Sequence, residues 1–299
     1  MKIGLQIPNY NFNDKPFAEQ AKNLRSELLQ AAKNAEAAGF YSIWVMDHFF
    51  QIGPRSVLGP AEDFMLEGYS TLNLLSGVTE KIKLGTLVTG NIYRNPGILV
   101  KTVTTLDVLS GGRAYFGVGA GWFEREAVGL GVGIPPLKER FDRFEETLQI
   151  AKQMWSNNDG EYNGKYYKMK ETLCHPEPIQ KPHPPILLGG SGPKKTLKFV
   201  AKYADACNLF SYGGPEGVKG LIDIIKKHCE AVGRNFEEIE ITTLGSAMLD
   251  SGQSADELIK YFQGLSEVGV THAIVNTRYP SPKVLKTFKD TIIPTVKNF

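Results

Sequence analysis

The chain has 299 residues, 42% of them hydrophobic, so it is long enough to fill one large core or two small ones. Its formal net charge is only +2, with 34 basic and 32 acidic residues and no basic stretch interleaved with aromatics, so we expect no nucleic-acid partner. The three cysteines lack C-x-x-C spacing and no apolar run reaches the ~18 residues of a membrane span, so we expect no disulfide framework, no metal, no membrane partner and a cytoplasmic location.

Strand patterns alternate with helix patterns along the whole chain. The first strand is predicted at residues 2–8 and its helix at 16–38. Further strand and helix pairs are predicted at residues 42–46 with 68–78, 82–88 with 97–109, 113–119 with 136–155, 185–189 with 193–203, 206–210 with 215–232, 240–247 with 254–268, and 272–276 with 282–295. Residues 57–67 are predicted as a long loop and residues 156–182 as a loop or hairpin. Eight such pairs favour a closed (β/α)8 TIM barrel, of the α/β class, over an open doubly wound sheet, and we expect one domain over residues 1–299.

Reactive side chains of a parallel barrel lie where its strands end, so the residues after each predicted strand form the candidate site. Asp47 and His48 follow the second strand and are the single acid–histidine pair among these ends. No second carboxylate is placed for glycosidase chemistry, and neither an H-E-x-x-H metal motif nor a G-x-S-x-G serine elbow occurs. These ends favour a site that holds a large planar or phosphorylated cofactor. The alternatives are an N-cap role for Asp47 and a structural role for His48.

Two glycine-rich turns support this interpretation. Residues 189–192 lie between the fifth strand and its helix, with Pro193 suited to the first helical turn, and free amides there would attract a phosphate. A turn that simply needs glycine is the alternative. Gly119 and Gly121, at the end of the fourth strand, are a weak dinucleotide signal because the spacing of the third glycine is wrong. They are better suited to form a wall against which a flat ring lies.

Several motifs together resemble one known family. They are residues 38–49 (AGFYSIWVMDHF), 84–89 (LGTLVT) with 93–96 (YRNP), 107–113 (DVLSGGR), 117–126 (GVGAGWFERE) and 139–141 (ERF). The chain resembles the bacterial-luciferase-like superfamily of (β/α)8-barrel oxidoreductases, and within it the branch that uses the deazaflavin coenzyme F420. The resemblance covers nearly the whole chain and also implies a homodimer.

The resemblance implies roles for the matching residues. Asp47 would hydrogen-bond the deazaflavin ring, and His48 would lie near its reacting carbon. The peptide bond between Leu87 and Val88 would be cis, behind the ring. Either His48 or Glu126 would supply or remove the proton that accompanies the hydride. The implied contacts to the ring, its side chain and its phosphate are Thr89, Asn91, Gly189, Gly190, Ser191 and Gly192.

One position departs from the family pattern. In the F420-dependent sugar-phosphate dehydrogenases a glutamate proton donor directly follows the fourth-strand glycines, whereas this chain has Trp122 there. This departure argues against a sugar phosphate as the substrate. Trp122 is expected to line a substrate pocket, and its alternative role is packing. The alternative for Glu126 is a solvated carboxylate on a helix. Arg278 would meet an acidic cofactor tail or substrate phosphate, or is a surface charge.

The leading functional hypothesis is F420-dependent hydride transfer to or from a small organic substrate. The alternatives are an FMN-dependent monooxygenase on the same scaffold and a non-catalytic flavin-binding accessory protein.

Overall fold

The computed structural model describes residues 1–10, 17–53, 58–277 and 279–299. At its centre, parallel strands pair side by side around a ring. The barrel strands are β1 (Lys2–Ile7), β2 (Ser42–Val45), β3 (Lys83–Thr86), β4 (Ala114–Gly119), β5 (Ile186–Gly189), β6 (Ala206–Phe210), β7 (Glu240–Ser246) and β8 (His272–Asn276). Consecutive strands are neighbours, and β1 also pairs with β8, which closes the ring. The predicted (β/α)8 barrel is confirmed.

Helices follow the barrel strands and pack around the outside of the ring. They are α1 (Phe17–Ala38), α2 (Gly68–Ser76), α3 (Pro96–Leu109), α4 (Glu124–Gly129), α5 (Leu137–Met154), α6 (Thr196–Tyr203), α7 (Gly214–Val232), α8 (Ala255–Glu267), α9 (Pro282–Thr287) and α10 (Ile293–Val296). Within the described ranges, no helix combines the length and apolarity needed to cross a membrane.

The hydrophobic core has two parts. The larger part lies between the strands and the helices and includes Leu5, Ile43 and Phe288. The smaller part contains Trp44 and Tyr115, whose rings meet edge to face at a centroid distance of 5.3 Å. A Cβ atom on Gly85 would lie 2.6 Å from the Trp44 ring, so this glycine makes room for the indole. The barrel is therefore filled by side chains, and ligand chemistry belongs at its rim.

Three local predictions need correction or refinement, and one helix was missed. The third strand ends at Thr86 instead of residue 88, because a cis peptide between Leu87 and Val88 turns the chain before the short strand Thr89–Gly90. The helix predicted from Pro193 begins only at Thr196, because the preceding residues form a turn, so the prediction for Pro193 is wrong. Helix α4 was not predicted. Residues 156–182 contain a two-stranded antiparallel hairpin, which was one of the two predicted forms.

Candidate active site

Asp47 and His48 follow β2 at the carboxyl end of the barrel, and their side chains meet different partners. Asp47 is 1% exposed and lies beneath the rim. The side chain of His48 is 12% exposed and stands among aromatic rings at the rim. The two neighbours therefore belong to two separate clusters.

Asp47 is held by Arg94, which comes from the loop before α3. The guanidinium donates two hydrogen bonds to the carboxylate, from Nη1 at 2.6 Å and from Nη2 at 2.9 Å. It also forms an ion pair with Glu67, the N-cap residue of α2. Burial raises the pKa of Asp47 above its ordinary value, and the bonds from Arg94 oppose that rise. Both oxygens of the carboxylate that was expected to hydrogen-bond the cofactor ring thus accept hydrogen bonds from a protein side chain.

Thr89 belongs to a buried chain of hydroxyl groups. Its Oγ1 atom lies 2.7 Å from the Tyr69 hydroxyl and 2.9 Å from Thr86 Oγ1. Thr86 donates to the Gly117 carbonyl at 3.0 Å. Burial raises the pKa of Asp47, and a hydrogen bond from Thr89 also acts to lower it, so this hydroxyl group supports the buried carboxylate. Thr89 is fully buried, so the structure places it below the rim.

Asn91 and Gly121 both take part in hydrogen bonds that stabilise the end of β4 and the residues after it. The backbone amide of Asn91 donates to the Gly119 carbonyl at 2.9 Å. With its side-chain nitrogen turned toward the strand, Asn91 also donates to the Gly119 and Ala120 carbonyls. Arg140, from α5, donates to the Gly121 carbonyl at 2.6 Å. These contacts hold the segment that carries Trp122.

The peptide between Leu87 and Val88 is cis, as the resemblance implied. The half-buried Val88 side chain lies between two glycines on neighbouring strands. A Cβ atom would come within 3.1 Å of Val88 at Gly119 and within 2.8 Å at Gly189. The separation at Gly189 is closer than real Cβ atoms approach, and that at Gly119 is tight, so the two glycines make room for Val88 at the end of the barrel.

The turn after β5 has the properties of a phosphate site. Gly190 has a φ of +118°, which side chains rarely adopt, and a Cβ atom on Gly192 would lie 3.0 Å from Thr196 Oγ1. The Oγ atom of Ser191 is buried and has no hydrogen-bond partner among the described residues. A buried hydroxyl without a partner is costly, and a phosphate oxygen would satisfy it. The residues of this turn therefore fit the phosphate of a flavin or deazaflavin cofactor.

His48 is joined to Glu126 from the first turn of α4. The distance between His48 Nδ1 and Glu126 Oε1 is 3.0 Å. The other carboxylate oxygen, Oε2, accepts hydrogen bonds from the backbone amides of Phe49 and Phe50. Burial acts to raise the pKa of Glu126, but the hydrogen bonds from His48 and other donors outweigh it, so the pKa lies below its ordinary value. Glu126 is thus ionised at neutral pH.

Two aromatic rings stand edge-on to His48. The ring centroid of Trp122 is 5.8 Å away and that of Phe123 is 5.7 Å away. The Trp122 side chain is 57% exposed, although it is one of the largest apolar side chains of the protein. An exposed indole beside a histidine at the rim of a barrel offers an apolar surface to a substrate.

A family model described as "Luciferase-like monooxygenase" matches residues 1–290 of the chain. The chain belongs to this family. Among curated relatives, an F420-dependent glucose-6-phosphate dehydrogenase of Microbacterium testaceum is 33% identical over 223 residues, which cover 72% of this chain and 62% of the relative. The protein is therefore a luciferase-like oxidoreductase that depends on F420 or on a flavin.

Solved structures share the fold of this luciferase-like chain. An F420-dependent secondary alcohol dehydrogenase in complex with an F420-acetone adduct superposes with a TM-score of 0.80 at 20% identity, covering 99% of this chain and 98% of the other. Monooxygenase RslO1 from Streptomyces bottropensis superposes with a TM-score of 0.81 at 18% identity, covering 98% and 99%. At these identities the two structures establish the shared fold.

Sequence reasoning missed several residues of the site. Arg94 lies inside the motif of residues 93–96, but no role was predicted for it, and none was predicted for Glu67 or Tyr69. The available signal for Arg94 was an arginine in the loop after a predicted strand, at the same barrel end as Asp47. Arg278 lies outside the described residues.

Proposed function

We propose that this oxidoreductase binds coenzyme F420 at the carboxyl end of the barrel and catalyses hydride transfer with a small organic substrate. The observation that carries the proposal is the environment of His48. Its Nδ1 atom is engaged by Glu126, while Nε2 has no hydrogen-bond partner among the described residues, beside the exposed Trp122. The similarity to a relative named as F420-dependent supports this choice of cofactor.

Each part of the site has a distinct task in this proposal. When bound, F420 supplies a two-electron hydride donor or acceptor. The turn from Gly190 to Gly192 would hold the phosphate, with Ser191 as a hydroxyl donor. Nε2 of His48 would take up or release the proton that accompanies the hydride. Trp122 would cover the substrate and keep water from it.

An FMN-dependent monooxygenase is the second candidate. The Ser191 hydroxyl and the surrounding glycines are suited to an FMN phosphate as well as to that of F420. The matching family model is itself described by monooxygenase activity, and the RslO1 structure shares the fold over 98% of this chain. The two candidates therefore differ in the cofactor that binds and in the reaction with oxygen.

Titration of the purified protein with F420 and with FMN, followed by ring fluorescence, separates these candidates. We expect saturable binding of F420, and about tenfold weaker binding to Ser191→Ala because one hydrogen bond to a charged group is lost. Ser156→Ala, an exposed serine after α5, is the matched control and should bind F420 like the wild type. Tight FMN binding without F420 binding would overturn the proposal in favour of the second candidate.

The resemblance also supports a homodimer in the cytoplasm, which we include in the proposal. Sedimentation velocity of the purified protein measures the mass in solution, and a monomer at micromolar concentration would contradict the dimer.

A further inference from the structure

We propose that Glu126 is a positioning residue that fixes the proton of the His48 ring on Nδ1 and thereby reserves Nε2 for proton exchange with the substrate. The catalytic consequence rests on the proposed function. The placement of the proton is a property of the chain alone and is measurable without cofactor.

Hydrogen-bond donors surround the carboxylate of Glu126. Its side chain is fully buried, and Oε2 already accepts from the backbone amides of Phe49 and Phe50. An ionised carboxylate has no proton to give, so the contact between Oε1 and His48 Nδ1 requires Nδ1 to be the donor. In the neutral ring, Nε2 is then the unprotonated nitrogen and a proton acceptor.

The two side chains of this pair differ in their exposure at the rim. None of the side-chain surface of Glu126 is exposed, whereas the His48 side chain is 12% exposed. The rings of the exposed Trp122 and of Phe123 stand edge-on to His48. A substrate at the rim therefore meets His48, and Glu126 acts only through it. Of the two proton carriers that the sequence left open, the geometry favours His48.

Other titratable groups near this pair do not compete for the proton. Burial raises the pKa of Tyr93, which faces Glu126, so its phenol remains protonated. Asp47, next to His48 in the chain, has both oxygens bound by Arg94. Glu124, which precedes Glu126 by two residues in α4, is exposed to solvent.

The variant Glu126→Gln tests the proposal because it preserves the shape of the side chain. The backbone amides of Phe49 and Phe50 still need an acceptor, so the amide oxygen of the glutamine faces them. Its NH2 group then faces His48 Nδ1, which must become an acceptor. We therefore expect the neutral ring to change from the Nδ1-protonated form to the Nε2-protonated form.

Ring-15N NMR of cofactor-free protein reports the two forms directly. The His48 signals are identified by their loss in His48→Gln, since the chain has five histidines. We expect an Nδ1-protonated ring in the wild type and in the control Glu124→Gln, and an Nε2-protonated ring in Glu126→Gln. An Nε2-protonated ring in the wild type would overturn the proposal, and this spectrum needs no variant of Glu126.

Turnover with F420 tests the catalytic consequence. We expect kcat of Glu126→Gln to fall about 100-fold or more while the affinity for F420 stays within about twofold, because only proton transfer is impaired. Unchanged kcat together with a changed ring form would show that the proton position does not matter for the reaction. If the wild type fails to bind F420, the proposed function is wrong, but the NMR result still decides the position of the proton.

Discussion

Replacing Arg94 with methionine removes the guanidinium and retains a long side chain, so it isolates the charge that holds Asp47. The Asp47 carboxylate is 1% exposed, and Arg94 bonds it at 2.6 and 2.9 Å. Breaking a buried ion pair by removing one partner costs about 3–5 kcal/mol because the remaining charge is left without compensation. We expect Arg94→Met to lower the free energy of unfolding by this amount at neutral pH.

The same substitution should change how stability depends on pH. Burial already raises the pKa of Asp47, and Arg94 opposes that rise. Without Arg94, the folded protein retains a proton on Asp47 at pH values where the unfolded chain has released it. The free energy of unfolding then falls as the pH rises through this range. The deficit of Arg94→Met should therefore be smaller near pH 5 than near pH 8.

Urea unfolding, followed by tryptophan fluorescence, measures both effects. Asp47→Asn combined with Arg94→Met removes both charges and should recover part of the loss. Arg125→Met is the control, because Arg125 is exposed and its contact with Glu62 is 3.5 Å long, so we expect a change within about 0.5 kcal/mol. A loss below about 1 kcal/mol for Arg94→Met, or an equal loss at both pH values, would refute the reasoning.

Two further predictions concern the barrel itself. In Gly189→Ala the new Cβ atom would lie 2.8 Å from Val88, so we expect a loss of about 1–3 kcal/mol in urea unfolding. Gly217→Ala, in α7 with open space around it, should be neutral or stabilising, and equal losses would contradict the packing argument. Burial lowers the pKa of His272. Below about pH 6.5 the unfolded chain therefore takes up a proton that the folded chain excludes, so the free energy of unfolding should decrease as the pH decreases through this range. His272→Asn should reduce this slope between about pH 7 and pH 5, and an unchanged slope would contradict it.

The order of strands and helices could be predicted because each barrel unit repeats a local pattern of apolar periodicity and turn residues. The pattern failed where local signals are misleading. The apolar residues 82–88 suggest one strand, and periodicity cannot show the cis peptide after Leu87 that divides it. Likewise, proline is common at the first position of a helix, but Pro193 lies in a turn before α6.

The position of the candidate site in the barrel could be predicted from the sequence, but most contacts between its side chains could not. The rule that reactive groups follow barrel strands identified Asp47 and His48. Their partners lie far along the chain, since Arg94 is 47 residues from Asp47 and Glu126 is 78 residues from His48. The closed ring of strands determines which side chains meet across such distances. No local pattern in a single sequence reveals these pairs. The predicted contacts of the site residues with a cofactor remain predictions.

A crystal structure of the protein with F420 tests the central claim most directly. We expect the deazaflavin ring to lie against Val88 at the carboxyl end of the barrel, with its reacting edge toward Nε2 of His48 and the cofactor phosphate at Ser191. A ring bound elsewhere, or a His48 side chain turned away from it, would contradict the account.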